Sequence, residues 1–167
     1  MLVDIVSKNG NLLLNIPVRG DGSIDEKEEA ILEGIAAWMD VNKQAIFGTR
    51  PWKVIGEGPA TANTRANSRG PRFNEGRGMP LSAEDVRFTA GKDGSLYAIV
   101  LGWPEKALSI KSLGIKAADR KIATVELLGS SEVVRWKQTE DAMVIDAPHV
   151  QLKNDHAIVY KLGFDRT

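Results

Sequence analysis

The chain changes rhythm near residue 50. Before that point apolar residues fall in one short continuous run and one helical stripe; after it they fall in brief alternating runs divided by turns. Leu12-Leu13-Leu14-Asn15-Ile16 is apolar on successive positions, bracketed by Gly10 and Pro17. That pattern predicts a strand at 12–16 buried on both faces, as in a parallel sheet. Ser23 with Glu26 three residues on has the form of a capping box. Ile24, Ile31, Ile35, Trp38 and Met39 then recur at helical spacing, so 24–40 is expected to be an amphipathic helix. Leu2, Val3, Ile5 and Val6 suit the end of a buried helix or a strand. These pieces make a slice of an α/β architecture that cannot enclose a core by itself.

Beyond residue 50 the period shortens to two. Strands are expected at 52–59, 85–90, 96–101, 107–113, 122–129, 132–138, 142–146 and 157–163, with 96–101 central. Lys92-Asp93-Gly94 predicts a tight hairpin turn. Further turns are expected at 116–121, 129–131, 139–141 and 153–156. Short strands with turns about every ten residues predict a β-sandwich. The interval 60–80 carries Arg65, Arg69, Arg72 and Arg77 among Gly, Asn, Ala and Pro, and predicts a long loop.

Composition narrows the function classes. Twenty-two Lys and Arg balance twenty-two Asp and Glu, which disfavours a general nucleic-acid or anionic-membrane binder. No apolar run approaches the length needed to span a bilayer. Cysteine is absent, which removes a disulfide frame, a thiol nucleophile and a thiolate metal site. Residues Met1 to Ser7 lack the basic flank of a secretory signal. At 167 residues the chain is too short for a complete (β/α)8 barrel, which needs about 250.

Candidate chemistry is sparse. His149 and His156 fall near predicted turns without metal-ligand spacing. No Gly-x-Ser-x-Gly elbow or phosphate-binding glycine loop occurs. Of the tryptophans, Trp38 and Trp136 fall on apolar faces, whereas Trp103, before Pro104 at a strand end, is the best candidate for an exposed sugar platform. Asp21 and Asp25 follow the buried run, and each has a structural explanation in a turn or a first helical turn.

Several phrases taken together carry a resemblance. LVDIVSKNGNLLLNIPVRGDGSIDEKE (2–28) and WMDVNKQAIFGTRPW (38–52) resemble the end of the catalytic barrel of the α-L-fucosidases of glycoside hydrolase family 29. DVRFTAGKDGSLYAIVLGWP (85–104) and IATVELLGSSEVVRWKQTEDAMVIDAP (122–148) are similar to that family's C-terminal β-sandwich. One departure stands at Ile16, where many members carry glycine before the proline.

The resemblance implies a mainly β fold, α+β overall: an antiparallel β-sandwich (51–167) preceded by one strand-helix unit (1–50) of an incomplete (β/α)8 barrel. It implies a retaining exo-glycosidase that releases terminal α-L-fucose without metal or other cofactor, acting on fucosylated glycans as the full-length parent. The aspartate nucleophile and the acid/base residue are expected upstream, so no catalytic residue is assigned within 1–167. By analogy Asn15, Arg19 and Asp21 lie toward the barrel mouth. The chain alone is expected to be inactive and to self-associate through its barrel-facing surface. A secreted or periplasmic parent is implied. The alternative is a stand-alone carbohydrate-binding sandwich.

Overall fold

A computed structural model describes residues 1–66, 80–118, 120–150, 152 and 156–165. In chain order the elements are α1 (Leu2–Ser7), α2 (Glu26–Asn42), β1 (Thr49–Glu57), α3 (Pro59–Ala66), β2 (Val86–Gly91), β3 (Leu96–Val100), β4 (Leu108–Ile110), α4 (Ile115–Ala118), β5 (Ile122–Leu127), β6 (Trp136–Gln138), β7 (Met143–Ile145) and β8 (Ile158–Phe164). Among the described residues the strands form two sheets, one ordered β1-β2-β3-β8-β5 and the other β4-β7-β6. Every pairing is antiparallel. Each expected strand beyond residue 50 has its counterpart, and β3 is the middle strand of the larger sheet.

Alternation along the strands sorts two layers of core. Phe88, Ala98, Tyr160 and Leu162 face inward, where they meet Ile110, Met143 and Ile145 of the smaller sheet. This is the sandwich interior, and its residues are almost wholly removed from water. Trp52 packs edge-on to Phe88 there, with ring centroids 5.1 Å apart. The intervening residues Tyr97, Ile99 and Val159 point the other way and meet Val3 of α1, Trp38 of α2 and the Ala45-Ile46 pair. Strand β3 is therefore buried on both faces, as its unbroken apolar sequence requires.

Two polar contacts fasten the N-terminal helices to this outer face. The Trp38 indole donates to the carbonyl of Ala157 at 2.7 Å. The Arg87 guanidinium, on a residue only 3% exposed, pairs with Asp4 of α1 at 2.6 Å and donates to the Thr61 hydroxyl of α3 at 2.9 Å. Burial alone would raise the Asp4 pKa, but the hydrogen bonds and charges of Lys8 and Arg87 outweigh it and hold the carboxyl below its ordinary value.

Four local expectations need correction. Residues 10–17 form no strand, and Leu13 is 93% exposed. A strand needs a neighbour for its backbone amides and carbonyls, and no described strand lies beside this run. The helix expected from residue 24 begins at Glu26, because the Asp25 side chain rather than Ser23 accepts the capping bond, from the Lys27 amide at 3.0 Å. The expected loop at 60–80 opens as helix α3, because the buried Asp85 carboxylate, twenty-five positions away, accepts the Ala60 amide at 2.9 Å. Arg69, Arg72 and Arg77 lie outside the described residues. The expected turn at 116–121 holds the last residues of the short helix α4.

Candidate functional site

The residues expected near a barrel mouth sit on a tight reversal between Val18 and Ile24, which form an isolated antiparallel bridge. Arg19 and Asp21 both belong to it, and each is occupied locally. Arg19 pairs with Asp25 at 2.9 Å, both groups about half exposed. Asp21 accepts from the Ser23 amide at 2.9 Å and from the Ser23 hydroxyl at 2.7 Å, a side-chain turn of the kind aspartate favours. Those bonds from Ser23 lower the Asp21 pKa. The Lys27 amide and then Arg19 lower that of Asp25. Asn15 is exposed on the preceding segment.

Trp103 lies apart from these residues. It is half-buried and packed against the sandwich interior, together with Trp52 and Trp136. His149 and His156 are both exposed. No group of three or more His, Asp or Glu side chains is placed to hold a metal ion among the described residues. No described helix is long and apolar enough to cross a membrane.

Two concave surfaces stand out. The first is an open, apolar groove of about 740 Å³ between α1, the 12–14 segment and α2, with Ile31, Gly34 and Ile35 along one wall and Leu12 and Leu14 along another. Ile31 is 54% exposed, and Leu13, Val18 and Ile24, outside the groove lining, are further exposed apolar side chains of the N-terminal region. Helix α2 therefore uses Trp38 and Met39 to dock on the sandwich and leaves Ile31 and Ile35 of its apolar stripe exposed.

The second is a smaller cavity of about 310 Å³ at one end of the sandwich. Leu127 of β5 and Tyr160 of β8 form its floor, and the segments 132–135 and 146–149 form its sides. The Asp146 amide donates to the Arg135 carbonyl at 2.9 Å and extends the β6–β7 ladder to the rim. The Glu132 carboxylate accepts the His149 amide at 3.1 Å and the Val150 amide at 3.2 Å, which ties the two sides together. Burial, and then the nearby Glu132 charge, push the Tyr160 pKa up to about 12, so its phenol stays protonated at neutral pH. Apart from His149, these residues give no signal in the sequence. They are single polar positions in strand ends and turns, and only the pairing of β5 with β8 brings Leu127 opposite Tyr160.

Comparison with known proteins matches two stretches of the chain. Residues 1–44 match the Alpha-L-fucosidase family model, and residues 80–163 match the Alpha-L-fucosidase C-terminal domain model. An alpha-L-fucosidase of Branchiostoma floridae is 32% identical over 136 residues, covering 81% of this chain and 24% of the relative. Human plasma alpha-L-fucosidase is 28% identical over 165 residues, covering 98% of this chain and 29% of the relative. The crystal structure of an alpha-fucosidase from Thermotoga maritima superposes with a TM-score of 0.68 at 26% identity, covering 96% of this chain and 32% of that one. The chain thus spans about a quarter to a third of the length of these proteins. An Alpha-L-fucosidase match followed by an Alpha-L-fucosidase C-terminal domain match, on a fold that carries the corresponding β-sandwich, means that this chain belongs to the α-L-fucosidase family of glycoside hydrolases.

Proposed function

We propose that residues 1–50 are the closing unit of an α-L-fucosidase barrel and that 51–167 are the sandwich that buttresses it. In this reading the region is non-catalytic. The enzyme of which it forms part hydrolyses terminal α-L-fucose from glycans, and Asn15, Arg19 and Asp21 lie toward the mouth of its barrel. One observation supports the proposal: Ile31 and Ile35 of α2 line one open groove together with Leu12 and Leu14, on the segment that matches the Alpha-L-fucosidase family model. A barrel's strands are buried by their neighbours, so these side chains are the ones that adjoining strand-helix units would cover. A glycosidase of this type also needs two carboxyl groups flanking the scissile bond. Asp21 and Asp25 are each held in local turn and capping bonds.

Two measurements test the reading. The 167-residue chain should give no turnover of 4-nitrophenyl α-L-fucoside; turnover above a heat-killed control overturns the non-catalytic role. In sedimentation velocity the chain should associate with rising concentration, because so large an apolar face is rarely left exposed. The double variant Leu14→Glu with Ile31→Glu should reduce that association and leave the sandwich folded. A chain that stays monomeric at every concentration overturns self-association through this face.

A further inference from the structure

The cavity at the end of the sandwich goes beyond the fucosidase reading, because it shares no residue with the barrel-like segment. Tyr160 is 1% exposed and lines this cavity. The Tyr160 ring is fixed in place within the sandwich core and lines the cavity. Its hydroxyl is a protonated, preorganised polar group at the floor of a concave site, with both a donor and an acceptor to offer.

The walls restrict what can bind there. Glu132 and Asp146 supply two carboxylates, against one guanidinium from Arg135 and the imidazole of His149. Whatever the protonation of the imidazole, no positive surplus remains, so an anionic ligand gains nothing. Three or more metal-ligating side chains are not gathered at any point among the described residues, so the site does not suit a cation. Leu127, Val134 and Pro148 add an apolar surface next to these polar groups. A neutral ring with hydroxyls on its rim and C–H bonds on its face matches all of these features. Its hydroxyls can donate to the carboxylates and accept from Arg135 and Tyr160. The volume lies at the lower end of the range for small-molecule pockets, about 300–1,000 Å³, which suits one ring rather than an oligosaccharide.

We infer that this cavity binds a single neutral sugar residue, with the Tyr160 hydroxyl as its anchoring group. The 167-residue chain is titrated by calorimetry and by ¹H–¹⁵N NMR with methyl α-L-fucoside, methyl β-D-galactoside and methyl α-D-glucoside, and separately with glucuronate, inorganic phosphate and calcium chloride. At least one neutral glycoside should bind with millimolar affinity and shift the amides of residues 132–135 and 146–149. Tyr160→Phe, which keeps the ring, should weaken binding about fivefold to tenfold, the effect of one lost hydrogen bond. Arg135→Ala, a change at the exposed rim, should weaken it without altering the melting temperature. A flat titration with all three glycosides, preference for glucuronate, phosphate or calcium, or binding that Tyr160→Phe leaves unchanged would each overturn the site. So would a sugar response abolished by Trp103→Ala and indifferent to Tyr160→Phe. None of these results bears on the barrel-supporting role, which the fucoside assay and sedimentation test independently.

Discussion

Two runs of similar composition meet opposite fates in this molecule. Leu96-Tyr97-Ala98-Ile99-Val100 is buried at every position between β2 and β8. Leu12-Leu13-Leu14 is equally apolar, yet it is largely open to water and has no strand on either side. The difference lies in neighbours rather than in residues. A β-strand is a property of a pair, and the apolar run at 12–14 has no paired neighbour among the described residues. Helix α2 shows both conditions at once, with Trp38 docked on the sandwich and Ile31 facing solvent.

This contrast can be broken most sharply in the sandwich core. Phe88→Ala should destabilise the chain by about 3–5 kcal/mol, read from urea unfolding, because Phe88 is fully enclosed and Trp52 packs on its edge. At the junction, Asp4→Ala leaves the buried Arg87 with only the Thr61 hydroxyl and the Val86 carbonyl. A loss of about 2–3 kcal/mol is expected, reduced from that of a fully buried pair because Asp4 is partly exposed. This contribution depends on pH. The folded Asp4 pKa lies below its ordinary value, so the stabilisation is complete above the unfolded value of about 3.9 and is lost as pH falls through the folded one. The stability difference between the native chain and Asp4→Asn should therefore shrink between pH 6 and pH 2.

Smaller effects refine the boundary between the two regions. Gly129 has φ of +80°, and a Cβ there would stand 2.7 Å from Val41 Cγ1 of α2. Gly129→Ala should cost about 1–2 kcal/mol and loosen the helix from the sandwich, visible as faster hydrogen exchange in α2. Trp38→Phe removes the bond to the Ala157 carbonyl and should lower stability by about 1 kcal/mol. Leu13→Ala should stay within about 0.5 kcal/mol, because the side chain is already in water. If Leu13→Ala matched Phe88→Ala in cost, the contrast between the two runs would fail.

Much of the sandwich was legible in the sequence because its signals are local. Alternation located the strands, and Lys92-Asp93-Gly94 located the hairpin, where Gly94 takes φ of +85°. The misses are long-range. Asp85 caps α3 from twenty-five positions away, and Arg87 reaches Asp4 across eighty-three. No spacing rule reports such pairs. The run at 12–16 departs from expectation for a related reason, since composition favours a strand and cannot specify whether a neighbour is present. The small cavity was illegible because Glu132, Arg135, Asp146 and Tyr160 carry no motif, and only the stacking of one sheet on the other brings them to one place.

The position of β8 has a consequence for synthesis. It is the latest described strand in chain order, yet it lies between β3 and β5 and contributes to both core layers. While the ribosome is still adding residues before Ile158, β3 and β5 each present an open edge, and the Trp38 indole awaits the Ala157 carbonyl. The nascent chain must therefore hold two adhesive edges apart until one late segment arrives to join them, so a stop codon shortly before residue 158 is expected to yield aggregates rather than a shorter soluble domain.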